Sequence, residues 1–336
     1  MARIHADSVL IVGTGAMASL FAARLLSAGI RVKMLGTWVE GLKALRTNGV
    51  CIVDGDGGER TFPVEVIEHP SEFCDARLAL VLVKTWQTAR AAQQLATCLA
   101  QDGLALTLQN GLGNLETLQA ALGKNRTALG VTTIGATLLE PGRVKNGGNG
   151  VISLGKDERL NVFADLFKLA GFSVEEVPNT DSLTWGKLVV NAAINPITAL
   201  LRIPNGEILM RPTAKSLMAA AADEAARVAQ ACNIQLPYTD PVLAAETVAQ
   251  RTAGNLSSML KDIMRGGPTE VDAINGAVVR AGEAAQISTP VNQTLWQLVN
   301  ALEQILEGVR DRSQMDIDLE NNLAEKAGLA VHLSVH

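Results

Sequence analysis

The sequence predicts a doubly wound α/β domain over residues 1–178 followed by an all-α domain over residues 179–336. Three observations carry this. Through the first half, short apolar runs alternate with stretches of helical periodicity, the pattern of strands joined by helical crossovers. From Ser182 onward amphipathic helices punctuated by Gly and Pro take over, and strand signals nearly vanish. The length, 336 residues, also exceeds what one hydrophobic core usually serves.

Each element follows in order. Residues 9–13, VLIVG, form a strand, and residues 16–28 an Ala/Leu-rich helix that stops at Gly29, a residue suited to a left-handed cap. RVKMLG, residues 31–36, is a second strand. LALVLV, residues 78–83, is a continuous apolar run of the kind buried on both faces of a parallel sheet. LALTLQ (104–109) and TALGVTTIGATLL (127–139) continue the strand-rich pattern, then a Gly-rich turn over 146–150 leads into VISLG (151–155). The helices of the second half are read over 183–201, 214–232, 241–252, 256–265, 271–285 and 291–307. Past Arg312 the chain is polar, either a short helix or partly loose. There is no internal repeat or low-complexity segment.

Composition narrows the function. Hydrophobic residues at 48% against 19% charged supply ample core and exclude a disordered chain. A net charge of −5 offers no basic face for a polyanion, and 3% aromatics with one tyrosine offer no stacking platform, so nucleic-acid binding is not expected. Cys51, Cys74, Cys98 and Cys232 lie far apart with no CxxC pair, which argues against a disulfide scaffold or structural zinc. The N-terminus lacks the features of a signal peptide and no apolar run spans a bilayer, so the expected location is cytoplasmic, with no membrane partner. His5, His69, His332 and His336 sit in unpromising contexts, and HExxH and GxSxG are absent. Histidine acid/base catalysis, serine hydrolysis and metal catalysis are disfavoured.

Between the first strand and first helix stands Gly13-Thr14-Gly15-Ala16-Met17-Ala18, a GxGxxA turn. Its first glycine permits the tight turn, its second lets backbone approach a pyrophosphate, and the small third residue lets helix and strand pack closely. This context makes the first domain Rossmann-like. A site for NAD usually carries Asp or Glu about 20 residues past the glycines. Here the stretch is Lys33, Met34, Leu35, Gly36, Thr37, with no acid before Glu40. With Lys43 and Arg46 nearby, NADP is the expected cofactor, and NAD is left open. Lys84 and Asn110 each follow an apolar strand, at the sheet edge where open α/β folds bind ligands.

The helix over 183–201 carries Lys187, Asn191 and Asn195 at spacings of four, a slowly drifting polar stripe on an apolar helix. Such groups need partners, because a buried unpaired polar group costs about 1–3 kcal/mol and a charge more. Ligand hydroxyls or interhelical hydrogen bonds would serve. Desolvation there would lower a lysine's pKa and make Lys187 a usable general acid. Taken alone, Asn255 reads as a helix cap and Glu270 as a first-turn acid.

GTGAMA, VKTWQ, QNG, WGKLVVNAAINPITAL, NLSSMLKDI and GGPTEVDAINGAVV together resemble the ketopantoate reductase family, in the expected order from Val9 to about Ala301. The resemblance implies a Rossmann domain and a helical domain with the active site in the cleft between them. It implies NADPH-dependent reduction of 2-dehydropantoate to (R)-pantoate, on the way to pantothenate and coenzyme A. By motif, Lys187 resembles the general acid and Glu270 the acid that supports it and contacts cofactor. Asn191, Asn195, Asn255 and Ser258 resemble substrate-holding groups. Gly13, Thr14, Gly15, Ala16, Met17, Thr37, Lys84 and Asn110 occupy cofactor positions, with Asn110 also at the substrate. Two departures stand out: Ala18 replaces a frequent glycine, and Thr37 replaces an arginine that many members use to clamp the 2′-phosphate. Two alternatives are a reductase of the same build acting on another 2-oxo acid, and a cofactor-binding protein without turnover. The Ala/Leu-rich helices supply either a homodimer face or only their own core.

Overall fold

The structure, a computed structural model, describes residues 8–148 and 150–308. The polar tail past Arg312 lies outside the described residues. The chain divides into two compact units: residues 1–188 with 234–237, and residues 189–233 with 238–336.

In the first unit, β1 (Val9–Val12) leads through the glycine turn into α1 (Ala16–Ser27), and β2 (Val32–Leu35) into α2 (Val39–Asn48). Then come β3 (Val50–Val53), β4 (Glu59–Phe62), β5 (Glu65–Ile67), β6 (Ala76–Val81), α3 (Thr88–Cys98), β7 (Leu99–Thr107) and α4 (Asn114–Leu122). β8 (Thr127–Thr132), β9 (Ala136–Glu140), β10 (Arg143–Asn146), β11 (Val151–Gly155), α5 (Asn161–Leu169) and β12 (Ser173–Val177) complete its strands. Among the described residues, the main sheet has the order β12-β11-β8-β7-β6-β1-β2-β5. Its pairs are parallel except β8 with β11.

Alternation along β1 explains the double winding. Val9 and Ile11 join one core with Phe21 of α1 and Phe163 and Phe167 of α5. Leu10 and Val12 join the other with Ala91 and Leu95 of α3 and Leu118 of α4. Both faces are covered, so the strand reads as an unbroken apolar run. β1 pairs with β2 on one side and β6 on the other. The chain therefore reverses direction of travel at β1/β6, the switch point at whose C-terminal strand ends open α/β sheets bind ligands.

The strand-rich stretch 127–139 holds two strands in different sheets: β8 stays in the main sheet, while β9 joins a small sheet of order β4-β3-β10-β9. Arg143 pairs with Cys51 in that sheet, a match between distant segments that no local pattern announces.

α6 (Thr180–Leu201) runs from the first unit into the second, the unit boundary falling between Leu188 and Val189. The second unit continues with α7 (Pro212–Ala231), α8 (Pro241–Arg251), α9 (Ser258–Met264), α10 (Asn275–Ala284) and α11 (290–308). The stretch expected as one helix over 271–285 is instead a 3₁₀ turn, Val271–Ala273, then α10. Ile274, at φ −104° and ψ −87°, interrupts it. α9 begins late because Ser257 caps it, accepting the Leu260 N–H at 3.0 Å, so Asn255 is not the cap. No described helix is long and apolar enough to cross a membrane.

Candidate active site

The glycine turn sits at this switch point, at the C-terminal end of β1. Gly13 has φ +129°, and a Cβ there would lie 3.0 Å from the Leu82 carbonyl oxygen, so only glycine lets β1 turn against the end of β6. Gly15 is different: a Cβ added there would meet nothing within 4 Å, which leaves open space over the start of α1. No acid stands in the first turn of α1. Its N–H groups and dipole therefore face that space unneutralised, the setting an anionic pyrophosphate requires. Thr14 is buried, while Ala16 and Met17 are half-buried in the first turn. Gly36 lies against Thr14, since a Cβ there would come within 2.6 Å of its methyl group. That contact brings the end of β2, and the exposed Thr37 after it, beside the turn.

No carboxylate side chain occurs over residues 36–39. The cations nearby are partly committed. Arg46 pairs with Glu68, and Lys33 pairs with Glu65 at 2.5 Å while lying 4.4 Å over the Phe73 ring. Lys43 is exposed on α2.

Lys84 is half-buried two residues beyond Leu82 and heads the 3₁₀ turn Thr85–Gln87. The QNG loop after β7 is held beside it by a short network. Gln109 Nε2 donates to the Val83 carbonyl at 2.9 Å and to Thr88 Oγ1 at 2.8 Å. Thr88 Oγ1 donates to Asn114 Oδ1 at 2.8 Å, and Asn114 Nδ2 to the Asn110 carbonyl at 2.8 Å. Three side chains, Gln109, Thr88 and Asn114, thus fix the backbone that presents Asn110.

Lys187 and Asn110 share one cleft of the first unit, lined by Gln109–Gly111, by Leu129–Thr132 of β8, and by Thr184, Lys187 and Leu188 of α6. The Lys187 ammonium donates to the Thr132 carbonyl at 2.5 Å. The lysine is half-buried, whereas the apolar helix suggested full burial, because its amine reaches the end of β8 along the cleft wall. Its neighbours Leu188, Val189, Val190, Ala192, Ala193 and Ile194 are buried.

In the helical unit, Asn191 is half-buried and Asn195 buried. Asn195 is tied to the start of α9: Thr198 Oγ1 donates to the Asn195 carbonyl at 2.9 Å and approaches Ser257 Oγ at 2.7 Å, next to Ser258. Asn255 is exposed, and its carbonyl accepts the Asn205 N–H at 3.0 Å. Glu270 is 5% exposed and precedes the Val271–Ala273 turn. The structure adds one candidate that the sequence reading passed over. Asn205 is buried, donates from Nδ2 to Thr252 Oγ1 at 2.8 Å, and its Oδ1 has no hydrogen-bond partner among the described residues. In sequence, Pro204-Asn205-Gly206 looks like a plain turn, and only burial distinguishes it.

The fold and the glycine turn define a protein of the Rossmann-like class, an α/β unit of mostly parallel sheet followed by a helical unit. Comparison with known proteins specifies it further. The sequence profile "Ketopantoate reductase PanE/ApbA" matches residues 9–159, and that of the "Ketopantoate reductase PanE/ApbA C terminal" region matches residues 179–303. The chain is 37% identical over 308 residues to the 2-dehydropantoate 2-reductase of Archaeoglobus fulgidus, covering 89% of this chain and 99% of that protein. Among solved structures, it resembles a PanE/ApbA family ketopantoate reductase from Ralstonia eutropha JMP134, with TM-score 0.84, 29% identity, and 89% and 99% of the two chains covered. It also resembles D-mandelate dehydrogenase in a ternary structure with NADH and anilino(oxo)acetate, with TM-score 0.84, 26% identity and the same coverage. This chain belongs to the ketopantoate reductase family.

Proposed function

We propose that the chain catalyses the NADPH-dependent reduction of 2-dehydropantoate to (R)-pantoate. The observation that carries this is the Lys187 ammonium, held at the Thr132 carbonyl in the same cleft as Asn110. A reduced nicotinamide, when bound, supplies hydride from its C4 to the ketone carbon of the substrate. Lys187 delivers the proton to the ketone oxygen, completing the alcohol. The open start of α1 and the bare Gly15 hold the pyrophosphate, with Thr14, Ala16 and Met17 around it. Lys84 and Asn110 contact the cofactor, and Asn110 also faces the substrate. In the helical unit, Asn191, Asn195, Asn255 and Ser258 take the substrate's hydroxyl and carboxylate, and Glu270 supports Lys187 and contacts the cofactor. The preference for NADPH rests on the missing carboxylate after β2, since nothing there repels a 2′-phosphate.

The test is a spectrophotometric assay with NADPH and NADH, with and without 2-dehydropantoate. Lys187→Ala is expected to lower kcat by about 10²–10⁴-fold, the contribution of a positioned general acid, with nucleotide affinity nearly unchanged. Unaltered turnover would remove Lys187 from the mechanism. A second reading, reduction of another 2-oxo acid, is favoured by the likeness to D-mandelate dehydrogenase. Rates on a panel of 2-oxo acids separate the two.

A further inference from the structure

α11 carries polar groups on one side: Asn292, Trp296 and Glu303 fall within about 40° of arc at 3.6 residues per turn. In sequence they look like the solvated face of an amphipathic helix. In the structure each holds a different point of residues 269–275. Glu303 Oε1 accepts the Thr269 N–H at 2.8 Å. Trp296 Nε1 donates to Asp272 Oδ1 at 2.6 Å, and Asn292 Oδ1 accepts from Asn275 Nδ2 at 3.0 Å. Glu270 lies between the first two of these points. Gly276 makes room for the clamp, since a Cβ there would sit 3.0 Å from the Trp296 indole.

The helix is itself anchored. Glu224 of α7 is 4% exposed and turns both carboxylate oxygens onto the N-terminus of α11, accepting the Val291 and Asn292 N–H groups at 2.9 Å each. A carboxylate is favoured there by the helix dipole and satisfies N–H groups that the helix itself leaves open.

We propose that α11 is a positioning element for Glu270, with Glu303 its principal positioning residue. Glu303 fixes the backbone one residue ahead of Glu270, and Trp296 fixes the segment two residues beyond it. Without Glu303 the Thr269 N–H is released and the backbone that carries Glu270 loses a fixed point. The inference rests on the functional reading of Glu270 given above.

The experiment compares Glu303→Ala and Glu303→Gln, alone and in a Glu270→Ala background, with amide hydrogen exchange over 266–276 read by mass spectrometry. Glu303→Ala is expected to lower kcat/KM for 2-dehydropantoate about tenfold, the scale of one hydrogen bond to a charged acceptor. Glu303→Gln, which keeps an acceptor oxygen, stays close to wild type. In the Glu270→Ala background Glu303→Ala adds no further loss, because its route to turnover runs through Glu270. Equal losses in both backgrounds, or wild-type turnover in Glu303→Ala, overturn the proposal. Exchange over 266–276 rises in Glu303→Ala whichever substrate the enzyme takes, and unchanged exchange likewise overturns it. A wild-type chain that turns over no 2-oxo acid refutes the functional reading instead, and the exchange measurement separates the two failures.

Discussion

Replacing Asn275 by alanine tests how the helical unit accommodates a proline inside α6. Pro196 lies inside α6 and has no N–H for the carbonyl of Ala192, four residues back. Asn275 Nδ2 donates to that carbonyl at 3.0 Å, and also to Asn292 Oδ1 at 3.0 Å. Asn275 is 0% exposed, so water does not replace it. Asn275→Ala strips a donor from two buried acceptors, a loss of about 2–6 kcal/mol at roughly 1–3 kcal/mol each. Against that, Asn275 Oδ1 has no hydrogen-bond partner among the described residues, and deleting it recovers about 1–3 kcal/mol. The net expectation is a destabilisation of about 1–3 kcal/mol, read from urea unfolding followed by the helical circular dichroism signal. Pro196→Ala restores the N–H and lets the helix satisfy Ala192 by itself. In that background Asn275→Ala strands one acceptor fewer, and its cost falls by about 1–2 kcal/mol. The void left at residue 275 is common to both backgrounds and cancels. Equal costs in both backgrounds would refute the claim that Asn275 compensates for the proline.

Three further outcomes are expected. Gly13→Ala forces a positive φ on a side chain against the Leu82 carbonyl, a strain of about 1–3 kcal/mol. It should lower Tm and weaken nucleotide binding in a fluorescence titration, and an unaffected affinity would count against the turn as the pyrophosphate cradle. Thr37→Arg places a cation directly after β2 and should shift the NADPH/NADH ratio of kcat/KM toward NADPH by about tenfold. Burial pushes the Cys98 thiol up from 9.0 to about 11. The unfolded chain then loses this proton first, so stability is intact below pH 9 and falls between pH 9 and about 11, by at most about 1.4 kcal/mol per pH unit. Cys98→Ala should flatten that slope in denaturation midpoints measured across the range.

Much of the nucleotide-binding unit is legible along the chain because its signals are local. The run 78–83 is apolar because both faces of β6 are covered, and the GxGxxA turn announces a backbone conformation that glycine alone adopts freely. The stripe Lys187, Asn191 and Asn195 is visible because a spacing of four places side chains on one helix face. Other features were hidden. β8 and β9 look like one strand-rich stretch, and the break shows only when β9 pairs with β10, while β10 pairs in turn with β3. Residues 271–285 have the periodicity of one helix, yet the segment before Asn275 is pinned to α11 and cannot continue the helix regularly. Asn205 looks like a turn residue until its burial is known.

Spacing and residue type alone established the α/β-then-α order, the glycine turn between β1 and α1 and a lysine on a largely apolar helix, since each follows from interactions among residues a few positions apart. Which polar side chains serve as supports was decided by packing. Asn275 meets the Ala192 carbonyl across 83 residues of sequence, and Asn292 meets Glu224 across 68. A hydrogen-bond donor carries no mark of its acceptor along the chain. The pairing forms only when burial removes water as the competing partner, and that requires the assembled core.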